Sequence, residues 1–255
     1  TKYFRKELEH WARITDHLFV YEYYNKGMWG GLPYYQVHLV REDVPYYHRL
    51  GAEGFYTQAA GRRWPVCGLN HYVAAKLAWD VDLDVDALLA DFYEKFYAEA
   101  AEPMRDYWET LERAFVGYDE CLSPYGRKWT TLVVPEIFTP ATMTALEDAV
   151  GRAEKAARSQ TVKDRVRTIR VRVDFTGRVM EYLAAIQAPC EGIDLSDPEA
   201  VARAHGKAKE LGRPLSAELK KFCRENELEA FPRLIEVHDT LRFLVDLPDR
   251  EPILR

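Results

Sequence analysis

Paired cysteines, metal-type histidine spacing and long apolar runs are the features this sequence lacks, and each shortage removes a class of function. The four cysteines, Cys67, Cys121, Cys190 and Cys223, form no CxxC pair, and a chain of 255 residues needs no covalent staple to fold, so they read as free thiols. The seven histidines make no HxxxH or HxH arrangement, so no metal is indicated. GxGxxG, GxxxxGK and GxSxG are all missing, which leaves no nucleotide cofactor and no nucleophile elbow to expect. No run of about 18 apolar residues occurs, so no membrane span is expected. The opening TKYFRKELEHW is charged and amphipathic and has no apolar signal-peptide core. Excess positive charge is lacking too: the formal net charge is -6 and the pI about 5.7, which argues against nucleic acid as a partner.

Aromatic residues are scarce in only one part of the chain. Residues 1–140 hold 28 of the 33 aromatic residues, with 15 Lys+Arg against 21 Asp+Glu; residues 141–255 hold 5, with 20 against 20. Two modules are therefore expected. The first has the composition of a site that stacks the flat faces of a ligand, and the second that of a helical packing domain. The expected division is residues 1–118, a linker over 119–139, and an α-helical domain over 140–255.

The organising stretch runs from His17 to Asp80. Leu18–Tyr24 and Ala52–Gln58 are short runs rich in aromatic and β-branched residues, and the amphipathic segment His38–Leu50 separates them. That is a βαβ unit with parallel strands, which need helices over a sheet or around a barrel to be stable. In the first strand Leu18, Val20, Glu22 and Tyr24 share one face, and Phe19, Tyr21 and Tyr23 share the other. With Leu18 and Val20 turned into a barrel, Glu22 emerges at the C-terminal rim, where (β/α)8 enzymes keep catalytic groups. In the second strand Gly54, Tyr56 and Gln58 are assigned inward. A helix before the first strand carries Phe4, Leu8, Trp11 and Ile14 at helical spacing, so the segment reads as the middle of a larger barrel or as an appendage to a helical fold.

The loop NKGMWGGLPYY offers Trp29 and Tyr34 as flat platforms for a sugar. After the second strand come Arg62, Arg63 and Trp64, then a helix expected from Gly68 with Asn70 and His71 in its first turn. Asn70 reads as a helix cap or a ligand contact. Asp84 and Thr139 are placed to cap later helices. Beyond Pro140 helices are expected over about 140–158, 161–187, 198–211 and 215–226, broken at Gly212-Arg213-Pro214. Arg165, Arg167, Arg170, Arg172 and Arg178 decorate the outer sides of the second of these, as a solvated or acid-paired face.

The run VYEYYNKGMW, then LGAEGFYTQ, then LNHYVAAKLAWDVDLDVDALLADFYEKFYAEAAEPMRDYWETL, resembles the bacterial domain of unknown function 4838 family over roughly residues 8–118. The KLxWD and LLxxFYxxFYxxAA tracts are the most specific part. The resemblance implies an α/β, mostly helical fold: the C-terminal portion of a TIM (β/α)8 barrel of the glycoside-hydrolase type, with about two parallel strands, followed by an α-helical bundle. Relatives of that barrel include endo-acting N-acetylglucosaminidases, hexosaminidases and α-glucuronidases. The chain departs from the family in having Glu22 where an aspartate is usual and Ala98 where a glycine commonly follows the aromatic pair.

Cleavage of a glycosidic bond needs an acid for the leaving oxygen and a second group at the anomeric carbon. The resemblance implies Glu22 as the catalytic or orienting carboxylate, with the proton donor supplied from a front half of the barrel. Tyr21, Tyr23, Trp29, Tyr34, Tyr56, Gln58, Trp64, Asn70 and His71 are the substrate-binding candidates. The expected function is the C-terminal portion of a glycoside hydrolase acting on N-acetylated or uronic sugars. The alternatives are a non-catalytic carbohydrate-binding module and a helical scaffold. The expected partners are a carbohydrate and either an upstream barrel half or a second copy. The expected location is secreted or periplasmic if the resemblance holds, and cytoplasmic otherwise.

Overall fold

A computed structural model describes residues 2–24, 29–58, 64–118, 133–194 and 196–228. Their order is α1 (Lys2–Ile14), β1 (Leu18–Glu22), α2 (Val37–Arg49), β2 (Ala52–Thr57), α3 (Trp64–Trp79), α4 (Val85–Tyr97), α5 (Ala101–Val116), the single turn α6 (Val134–Ile137), α7 (Pro140–Ala156), α8 (Gln160–Gln187) and α9 (Pro198–Glu225). The fold is mostly helical, with two parallel strands. Two compact units interleave in sequence: Thr1–Lys26, Pro33–Cys121 and Thr144–Arg170 form one, and Gly27–Leu32, Leu122–Met143 and Val171–Arg255 the other. Among the described residues no helix is long and apolar enough to cross a membrane.

The first unit is built on the expected βαβ unit. β1 and β2 pair in parallel, with Val20 opposite Phe55, Tyr21 opposite Tyr56 and Glu22 opposite Thr57. The connection is α2, whose Val37, Val40, Val44 and Tyr47 recur at helical spacing and are all buried. Gly51 follows α2 with φ +79°, a conformation glycine adopts without the Cβ clash other residues meet. Pro45 sits inside α2 without ending it.

α1 meets α2 through its polar side: Arg5 bonds Glu42, and the Tyr46 hydroxyl donates to Glu9. Its apolar residues Phe4, Trp11 and Ile14 remain exposed.

α3 begins at Trp64, four residues before the expected start, because Pro65 fits a first helical turn where no amide donor is required. α4 is capped as expected, Asp84 accepting from the amides of Asp86 and Ala87. The tract that follows, FYxxFYxxAA, supplies Tyr93, Tyr97 and Ala100 to the core, packed with Met104, Tyr107, Trp108 and Leu111 of α5. Between α4 and α5 the chain turns at Ala98 with φ 43° and ψ -113°. The next residue, Glu99, accepts the backbone amides of Arg158 and Ser159 at 2.6 and 2.7 Å, ahead of α8.

In the second unit Thr139 caps α7 through the Thr142 amide. Val173, Phe175, Val179, Tyr182 and Leu183 of α8 are buried. α9 corrects the expected break at Gly212-Arg213-Pro214: one helix runs through Pro214. Its buried stripe Ala204, Ala208, Gly212, Ser216, Leu219 and Cys223 keeps a single face against the core across the proline. Arg172 also departs from the expected outer face, being buried, whereas Arg178 lies over the Phe222 ring at 4.8 Å.

Candidate functional site

The strand register decides which candidate residues share a surface. In a parallel pair, residues opposite one another point to the same side. Glu22 and Thr57 therefore share one face, and Tyr21 and Tyr56 share the other. α2 covers the first: the Tyr47 hydroxyl on that helix donates to Glu22. Leu18, Val20 and Glu22 thus lie on the face that α2 covers. β1 carries apolar side chains on both faces, and the covering helix is what distinguishes them.

Glu22 sits in a small acidic cluster beneath α2. Asp43 of that helix titrates above the usual carboxylate range, first from burial and then from the charge of Glu22, with Arg5 opposing both. Burial raises the Tyr47 and Tyr24 phenols far above their ordinary range, and Glu22 adds to the effect. Both phenols therefore stay protonated. Tyr47 had no place among the candidates, although its spacing from Val40 and Val44 already set it on the buried stripe of α2.

The other face is the one the second strand was expected to show. Tyr21 and Tyr56 stack with ring centroids 5.2 Å apart, and Tyr23 lies 4.8 Å from Tyr21. The Gln58 amide donates to the Tyr21 hydroxyl at 2.6 Å. Phe19, Tyr21 and Tyr56 are all exposed. The ends of both strands thus present an open aromatic wall with one amide at its edge. The exposed hydrogen bond between His17 Nδ1 and the Glu53 carboxylate, 2.6 Å, lies toward the strand starts.

The remaining candidates separate into buried framework and a rim. Asn70 is fully buried in the second turn of α3. Its side chain accepts the Gln36 amide at 2.8 Å and donates to the Tyr24 and Tyr34 carbonyls at 3.1 and 2.9 Å, so it fastens the chain leaving β1 instead of capping a helix. Tyr34 is buried edge-on against Phe115, and Trp29, in the second unit, is buried against Phe138. The expected sugar platforms are therefore core residues: large apolar rings in a glycine-rich loop fold inward when the surrounding helices leave room for them.

His71 is buried edge-on to Tyr24, and burial lowers its pKa. Its Nε2 and the Tyr24 hydroxyl have no hydrogen-bond partner among the described residues. Trp64 stacks on His71 at 5.8 Å and stays half exposed. Arg62 and Arg63 lie outside the described residues. Among the described residues no group of three or more His, Cys, Asp or Glu side chains is arranged to hold a metal ion.

Residues 1–109 match the family described as Domain of unknown function (DUF4838), a span that takes in both strands, Asn70 and the FYxxFYxxAA tract. No curated protein and no solved structure matches the chain.

Proposed function

We propose that the first unit is the rear portion of a carbohydrate-active (β/α)8-type barrel, with Tyr21, Tyr56 and Gln58 on its ligand side. The observation that carries this reading is the two-sided character of the strand pair. One face is covered by α2, as the outer face of a barrel is, and the other shows aromatic rings at the C-terminal strand ends, the end at which such barrels keep their sites. In this reading the remaining strands come from an upstream segment or a partner polypeptide, and so does the proton donor. Glu22 is turned toward Tyr47 and leaves no carboxylate from β1 on the aromatic side. The Tyr21 hydroxyl and Gln58 amide then position the substrate, in keeping with hydrolysis of N-acetylated glycosides, where the second catalytic group can be the sugar's own acetamido oxygen, or of uronic glycosides, where the second group comes with the missing strands.

The bare face carries no acid from β1, which also favours a second reading, a non-catalytic carbohydrate-binding module. Calorimetric titration with N-acetylglucosamine oligosaccharides tests both. Binding is expected, weakened by about three- to tenfold in Tyr56→Ala through loss of ring stacking and unchanged in Trp79→Ala. No saturable binding would rule out both readings. Turnover of aryl glycosides by the complete gene product then separates the enzyme from the module.

A further inference from the structure

A cleft of about 480 Å³ opens among α3, α4, Trp108 of α5 and the first turns of α8, and none of its lining residues belongs to β1 or β2. We propose that it binds a carboxylate carried on a six-membered ring with an apolar face, with Arg165 receiving the anion and Trp64 serving as the platform. The proposal rests on no part of the reading above.

The volume and the aromatic lining suit a small ligand held by a few polar groups. The charges in the cleft are not balanced. Lys95 is taken up by Asp91 at 2.5 Å. Arg165 has no carboxylate partner among the described residues: its guanidinium lies over the Phe96 ring at 4.1 Å and gives one N–H to the Phe96 carbonyl at 2.5 Å. A guanidinium has five donors in a rigid fork that matches a carboxylate. Stacking on Phe96 fixes its plane before any ligand arrives, and most of its donors remain unused.

The platform is built as well. The Trp64 ring lies across Gly68 so closely that a Cβ there would come within 2.8 Å of it, and it rests on the His71 imidazole. The ring is supported from behind while half of Trp64 stays exposed at the cleft. Stacking on Trp64 and pairing with Arg165 together select a ring bearing an anion. A uronic sugar and an aromatic acid both meet that description.

Glucuronate and 1-naphthoate, titrated beside glucose and 1-naphthamide, separate the two sources. At least one carboxylate is expected to bind at least tenfold more tightly than its uncharged counterpart, with Arg165→Gln weakening it by about ten- to a hundredfold and Arg165→Lys recovering part of the loss. Glucuronate alone would identify the ligand as a sugar acid, naphthoate alone as an arene acid. Arg165 also holds the Phe96 carbonyl, so Gly68→Ala provides the independent arm: it displaces the Trp64 ring, leaves Arg165 and Phe96 in place, and is expected to weaken binding while the circular dichroism spectrum of the folded chain is kept. Failure of both carboxylates to bind, or binding indifferent to Arg165→Gln and Gly68→Ala, would overturn the proposal.

Discussion

At Ala98 the backbone takes φ 43° and ψ -113°, a region where an L side chain crowds its own peptide and glycine does not. Ala98→Gly is therefore expected to raise stability by about 1 kcal/mol, read as a higher urea midpoint with unchanged slope. The neighbouring Glu99 shows why the turn holds its shape: two amides ahead of α8 keep its carboxyl ionised down to about pH 2. A depressed acid contributes stability that is fully present above its unfolded pKa, near 4.5, and is lost as pH falls toward about 2. Thermal melts of wild type and Glu99→Gln are thus expected to differ at pH 6 and to converge as the pH approaches 2. An equal gap at both pH values would show that the carboxylate charge is not what secures α8.

Among the elements, α3 has the most consequential single side chain. Asn70→Ala would strand the Gln36 amide and the Tyr24 and Tyr34 carbonyls in the interior, at a cost of about 2–5 kcal/mol, measured by urea denaturation. A ligand-binding asparagine at the surface would cost a fraction of that. This role was not legible in the sequence, because a helix start misplaced by four residues put Asn70 in a first turn, where capping is its usual use. The βαβ unit and the caps at Asp84 and Thr139 were legible, since each follows from local spacing or local hydrogen bonding. Which face of β1 lies under α2 was not. Period-two alternation separates two faces, and only the tertiary contact between Tyr47 and Glu22 says which one lies under the helix. α9 shows a similar limit, as its buried stripe carries the helix through a proline that local propensity treats as a stop.

On the scale of the whole molecule, several large apolar side chains of the described residues are exposed. Among the described residues the sheet has only two strands, so neither outer edge has a strand partner. Phe4, Trp11 and Ile14 of α1 and Phe19 and Tyr56 of the sheet are all about half exposed or more. Open strand edges beside apolar patches promote association. Sedimentation velocity is accordingly expected to show concentration-dependent self-association of this chain, reduced in Phe19→Lys, which sets a charge on the bare sheet face. A monomer at every concentration tested would show that these patches do not drive assembly.

The seat of Trp64 on His71 also gives the protein an optical reporter. An imidazolium quenches the emission of an indole it touches, whereas neutral imidazole does so far less. Burial pushes the His71 proton affinity down, so dimming of this tryptophan belongs to acid below the ordinary histidine range. The signal is expected to disappear in His71→Phe, which keeps a flat ring beneath the indole and removes the proton.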